Sequence, residues 1–213
     1  SGGQVTTDNN GFIISKQLLD VETAGGRFIG KSNRGELGHI AIEQTATSAD
    51  GGYIRFATSP AGSTTPADRM MIDSAGRVTM PYQPAFFVMM NNANITSSAV
   101  IIWNNVFVNT GSHYSTSNGR FTAPVAGRYL FSFYALKRSG TGRLSVQKNG
   151  GYYGAGTSQT YSGGIGSGET MHCASAIVDL AVNDYVQIYA QIDSGDFYGN
   201  NNSHNGFTGH LIG

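Results

Sequence analysis

Between residues 119 and 133 the sequence sets a turn, a corner and an aromatic strand in one run. Gly119 and Gly127 flank Pro124, which lacks the N–H that a sheet ladder needs and so marks a strand end. Beyond it, Tyr129, Phe131 and Phe133 fall on one side of an extended segment, and Leu130, Tyr134 and Leu136 on the other. A sheet with one wet face needs a single apolar row. Two rows predict a strand covered on both faces.

The rest of the chain is written in the same idiom. Strands are predicted over 84–90, 99–108, 119–123, 127–136, 142–149, 152–159, 169–180, 184–192 and 206–212, with turn pairs at Asn149-Gly150 and Asn183-Asp184. The segment 185–192 alternates cleanly. Val186, Ile188, Ala190 and Ile192 take the core side, and Tyr185, Gln187, Tyr189 and Gln191 form an opposite face suited to meeting a neighbouring subunit. No segment carries a helical period, so the expected class is all-β.

Composition narrows the partners. Charged residues make up 12% of the chain, about half the usual ~25%, and 13 basic residues balance 13 acidic ones. That leaves no basic stripe for a phosphate backbone, which argues against nucleic acid. No apolar run approaches the ~20 residues of a membrane helix, and no signal-peptide pattern opens the sequence. The single cysteine, Cys173, sits in an alternating run and reads as a small buried hydrophobe.

Residues 101–133 resemble the globular heads of the complement C1q family. The resemblance is carried by residues 100–104, by Asn109, Gly111, His113 and Tyr114, by the whole run 119–131, and further on by 144–150 and 207–212 in the same order. It spans 83–213. It implies a ten-strand jelly-roll, shared with tumour necrosis factor, that assembles as a homotrimer. On this reading Trp103, Tyr114, Phe121, Tyr129, Phe131, Phe133, Phe207 and His210 form the structural and trimer core. His210 stands where the family carries a bulky aromatic, and near a trimer axis it would make assembly sensitive to acid. Ala123 stands where a cysteine is common.

Residues 1–82 follow other rules. A glycine followed by alternating apolar residues recurs at Gly26, Gly38, Gly52 and Gly76, with a further strand at 69–72. Each strand offers two or three apolar residues, too few for one copy to offset its ordering entropy. The expectation is a β-rich stalk that stacks along the chain or borrows apolar surface from neighbouring copies. Residues 67–78 resemble a segment of bacteriophage tail-fibre proteins that precedes a C-terminal head; physically they spell a hairpin turning at Asp73-Ser74-Ala75-Gly76. Pro81 and Pro84 then frame a stiff linker.

Catalytic signatures are missing: no nucleophile elbow, zinc-protease helix, phosphate loop or cysteine pair occurs. The glycine-rich run 163–168 reads as a flexible loop. Asp193 and Asp196 could pair for glycoside hydrolysis, but carboxylates in Ser/Gly loops more often cap turns. Oxygen donors around Asn200, Asn201, Asn202 and His204 match no calcium loop, so no metal and no cofactor are expected. What remains is aromatic and amide-rich surface: Tyr152, Tyr153, Tyr161, Phe197, Tyr198, Asn200 and His204 are the predicted receptor-binding residues. The whole predicts a trimeric adhesin, the distal part of a bacteriophage tail fibre at the virion tip, binding a glycan or outer-membrane protein on a bacterial surface. The alternatives are a bacterial surface-displayed or secreted binding protein, a polysaccharide depolymerase, and a purely structural trimerisation cap.

Overall fold

A computed structural model describes residues 13–17, 25–44, 51–91, 93–154, 159–165, 168–200 and 202–213. The chain forms two compact units, residues 1–82 and 83–213. Among the described residues the structure is all-β, broken only by a 3-10 turn at Asn202–His204. No helix there is long and apolar enough to cross a membrane.

The first unit is one antiparallel meander in sequence order: β1 (Ile13–Gln17), β2 (Gly25–Ser32), β3 (Gly35–Gln44), β4 (Gly52–Thr58), β5 (Ala67–Ile72) and β6 (Val78–Thr79). The strands therefore pair along the chain. The expected Asp73 hairpin joins β5 to β6. Asp73 accepts backbone hydrogen bonds from Ala75 and Arg77 at 2.9 Å and a third from Arg77 Nε at 2.6 Å. Those bonds, led by the Arg77 amide, hold its carboxyl below the ordinary range.

The second unit is a jelly-roll sandwich. Its strands are β7 (Ala85–Met89), β8 (Ala99–Val100), β9 (Asn105–Thr110), β10 (Tyr114–Ser115), β11 (Arg120–Thr122), β12 (Gly127–Lys148), β13 (Gly151–Tyr152), β14 (Gln159–Ile165), β15 (Thr170–Leu180), β16 (Tyr185–Ile192), β17 (Asp196–Phe197) and β18 (Asn205–Leu211). The first sheet runs β15-β12-β18-β7-β9 and the second β14-β12-β16-β11-β10. Five strand positions in each sheet give the expected ten, because β12 serves both.

That double role corrects the sequence reading, which split 127–136 from 142–149. The segment Ser139-Gly140-Thr141-Gly142, where the two were separated, is a continuous bend inside one 22-residue strand. Gly140 takes φ +76°, and a Cβ there would lie 2.4 Å from the Ser194 carbonyl oxygen. Reciprocally, a Cβ on Gly195, at φ +71°, would lie 1.9 Å from the Ser139 oxygen. Two bare backbones meet where the strand leaves one sheet for the other, and only glycine permits that approach. The predicted strand 99–108 is likewise divided. β8 pairs with β16, the chain crosses the sandwich at 101–104 with Ile101 and Trp103 buried, and β9 pairs with β7.

Between the sheets lies the predicted aromatic core. Trp103, Tyr114, Phe121, Tyr129, Phe131, Phe133 and Phe207 are all buried, joined by Phe86, Leu144, Val146, Val186, Ile188 and Phe197. Phe86 stacks on Tyr114 and on Phe121, each at 5.1 Å between centroids. Tyr114 Oη donates to the Trp103 carbonyl and accepts from the Trp103 amide, both at 3.2 Å, so one phenol satisfies the crossing segment. Burial pushes that phenol far above its ordinary pKa. Tyr129 Oη donates to the Val125 carbonyl at 2.8 Å, tying the aromatic strand to the corner that Pro124 starts.

Two further expectations are revised. Cys173 is exposed rather than buried, because β15 turns it to the outer face opposite Tyr134. His210 lies on the same outer face, exposed in one chain and next to Leu130 on the neighbouring strand. Gly163, Gly164 and Ile165 belong to β14 instead of a loop, while Gly166 and Ser167 lie outside the described residues.

Candidate functional site

The two outer faces of the sandwich differ in chemistry. On the first sheet, the second apolar row of β12 is open: Leu130 pairs across to Ile177, and Tyr134 to Cys173. Ile177 is 56% exposed. Phe107, Val108 and Met171 add further exposed apolar surface, with Phe107 packed on Phe87 at 5.4 Å. Among the described residues of one chain, the expected cover on this face is therefore missing, apart from the buried Leu136.

The second sheet presents aromatic rings, amides and guanidiniums. The strand register lines up Tyr152, Gln147 and Gln187 across β13, β12 and β16, with Arg120 next in line on β11. Arg120 Nε donates to Gln187 Oε1 at 2.9 Å, and Gln187 Nε2 donates to Gln147 Oε1 at 2.7 Å. The guanidinium of Arg120 also lies 4.1 Å over the Tyr185 ring. Tyr152 meets Tyr189 edge-on at 6.4 Å. Two residues further along, Arg143 pairs with Gln191 and its Nη2 donates to the Gln191 amide oxygen. Among the described residues, both guanidiniums bind amides rather than carboxylates. The amide floor is buried and hydrogen-bonded, so its geometry is set before any ligand arrives; Tyr152, at 51% exposure, offers a ring face above it.

The predicted receptor residues do not form one site. Tyr152 sits on the face just described, opposite Gln147. Tyr153 is half-buried against the core. Tyr161 lies on β14 opposite Arg143, its side chain outside the described residues. Tyr198, His204 and Asn200 lie beyond the β12 bend: Tyr198 stacks edge-on with His204 at 5.0 Å and lies 5.4 Å from Arg138. Arg138 and Gln147 lie on opposite sides of that bend, Arg138 on the part of β12 paired with the first sheet and Gln147 on the part paired with β16. Phe197 is the clear correction. It is fully buried because residues 196–197 pair with β12 and bridge to Ile95, which carries its ring into the core beside His172.

The same end holds a feature the sequence did not announce. Lys137 is 0% exposed, its Nζ donates to the Ser194 carbonyl at 2.8 Å, and it lies 4.9 Å from the Phe197 ring. Burial lowers its pKa, partly countered by Asp196 and Asp193. Asp196 itself accepts from Asn94 Nδ2 at 2.7 Å and faces Arg138 at 3.8 Å. These contacts tie the bend together, and they occupy one of the two carboxylates that hydrolysis would need.

A family model described as the C1q domain matches residues 85–212. The chain belongs to the C1q-domain family. Similar solved structures include the globular domain of zebrafish complement 1qA protein, at 20% identity and TM-score 0.49, covering 62% of this chain and 98% of that one. Murine APRIL at pH 5.0 is similar at 10% identity and TM-score 0.46, with 61% and 99% covered. Eiger TNF from S. frugiperda is similar at 11% identity and TM-score 0.46, with 62% and 93% covered. Within the C1q domain, Ala123 is buried in the core beside Phe121. Of the residues that line the Tyr–Gln–Arg face of this C1q domain, Tyr185, Gln187, Tyr189 and Gln191 were marked by strict alternation along one strand. Arg120 and Gln147 carry no such signal, since only cross-strand register brings them there.

Proposed function

We propose that this chain is a non-catalytic attachment protein. Three copies associate through the apolar outer face of the first sheet and display the Tyr–Gln–Arg face of the second to a polyhydroxylated ligand. The observation that carries the proposal is the asymmetry of the two outer faces. One sets exposed apolar side chains, Ile177, Met171, Phe107 and Val108, around a few neutral polar groups such as the Ser132–Ser175 pair, as a surface awaiting burial does; the other is polar, aromatic and locked by hydrogen bonds. Domains of this family commonly form homotrimers and bind ligands, which favours this division of labour. Aromatic rings beside fixed amides suit sugar rings, and the guanidiniums of Arg120 and Arg143, which bind amides and no carboxylate among the described residues, favour acidic sugars or phosphorylated polysaccharide. Three such faces make a weak single-site contact collectively strong.

The finer reading places the chain at the distal end of a bacteriophage tail fibre, where the ligand is a bacterial surface glycan. Its support is the likeness of residues 67–78 to tail-fibre segments and the succession of a β-rich unit, a proline-framed linker and a binding head. The test is binding of labelled protein to a panel of bacterial surface polysaccharides, with Tyr152→Ala and Arg120→Ala beside the parent chain. Loss of labelling in both variants with the fold intact is the expected result. Equal labelling by all three proteins would remove this face from the account, and no labelling of any polysaccharide would remove the glycan.

A further inference from the structure

The six-stranded sheet of the first unit also has two unlike faces. Cross-strand register builds two apolar rows on one of them. Phe28, Ile40, Phe56 and Met70 align across β2 to β5; Ile42, Ile54, Ile72 and Val78 align across β3 to β6. Ile42 is 55% exposed and Val78 50%, with Phe28 and Ile40 also exposed. The opposite face carries the charge. Arg55 binds Glu43 at 2.8 Å and faces Asp68 at 3.6 Å; Arg27 and His39 bind Glu36 at 3.3 and 2.6 Å. Tyr53 Oη donates to Glu43 at 2.8 Å. Burial raises the Glu43 pKa, but the bonds from Tyr53 and Arg55 outweigh it and hold the carboxyl low.

We propose that the apolar face of this sheet is covered by the same face of the other copies of the chain, so that the first unit is a second assembly surface. The proposal rests on the trimeric reading of the head. Three observations select the occupant. Among the described residues the two rows themselves hold no charged side chain, and Arg69 at their edge is bound to Thr58, so the rows offer an outside partner little electrostatic address; their own duplicate is a matched apolar surface. Strand spacing and the two rows give it about 300 Å² in plan, under half of the ~800 Å² each partner contributes to a standard interface. Such a patch is too small to hold a freely diffusing partner. Copies already gathered by their heads need no more, because tethering through residues 81–84 supplies the effective concentration.

The experiment is disulfide trapping in the full chain. Ile42→Cys is made in a Cys173→Ser background, with Arg55→Cys on the charged face as control, and solution mass is measured beside it. The proposal expects a trimeric mass and oxidant-dependent interchain dimers from Ile42→Cys, at a yield unchanged over tenfold dilution and at least tenfold above that of Arg55→Cys. A trimer whose two variants cross-link equally poorly overturns the assignment of this face and leaves the head reading standing. A monomeric mass overturns both. Should Ile42→Cys not fold, Ile40→Cys on the same face reads the same outcome.

Discussion

The bend in β12 is the joint on which the sandwich turns, and replacing Gly140 by alanine tests it. The new side chain meets two separate penalties. Holding a non-glycine residue at positive φ costs about 1–2 kcal/mol. Its Cβ would also sit 2.4 Å from the Ser194 oxygen and 2.5 Å from the Ser194 carbonyl carbon, both backbone atoms that cannot rotate away. Relieving that overlap costs about 1–3 kcal/mol more. Gly150 separates the two effects. It has φ +81°, yet the nearest atom to its Cβ is the movable Tyr185 hydroxyl at 3.3 Å. Gly150→Ala therefore carries the backbone penalty nearly alone. Trp103, the only tryptophan and fully buried in the head, reports unfolding of that unit by fluorescence. With a urea slope of about 2 kcal/mol/M, the midpoint should fall by about 0.5–1 M for Gly150→Ala and about 1–2.5 M for Gly140→Ala, at equal protein concentration. A Gly140→Ala midpoint no lower than that of Gly150→Ala would refute the interlocked bend.

Other consequences follow from burial and charge. Phe197→Ala should destabilise the head by about 3–5 kcal/mol, read by the same Trp103 transition, whereas Tyr152→Ala should leave it within about 0.5 kcal/mol and act only on binding. Asp184 accepts hydrogen bonds from Asn149, Lys148 and the Ala181 amide, which hold its pKa down at about 2. Its folded pKa lies below the unfolded value, so the stability it lends is present above about pH 4 and fades as pH falls toward 2. Urea midpoints of Asp184→Asn measured across that window should show a shallower acid slope than the parent. Lys137 has the opposite history: burial depresses its pKa, so the folded head gains stability relative to Lys137→Met as pH rises from neutral toward the ordinary lysine range. Midpoints compared at pH 7 and pH 9.5 check the sign.

Much of the fold was written in local pattern. The alternation of Tyr129, Phe131 and Phe133, and of Val186, Ile188 and Ala190, fixed which sides face inward, and the structure buries all six. The Asp73 turn was legible because its side chain binds amides only two and four residues away. Features made by distant pairing were not. The break predicted between residues 136 and 142 missed one continuous strand, because the role of Gly140 and Gly142, close approach to residues 191–194, involves a segment some fifty positions later. Phe197 lies among Gly, Ser and Asn, the composition of an exposed loop, yet its bridge to Ile95 takes it inside. Cys173 alternates correctly, but alternation does not say which face of a strand is left bare. For the candidate site, alternation marked the β16 residues as an outer face, read from sequence as one that meets a neighbouring subunit, and Tyr152 was read as a receptor residue; Arg120 and Gln147 join them only through strand register.

Association of copies underlies both the apolar head face and the first-unit sheet, and solution mass tests it most directly. Light scattering on the intact chain at low micromolar concentration should return three times the 22.5 kDa chain mass. A folded species at 22.5 kDa, with the Trp103 transition intact, would contradict the account.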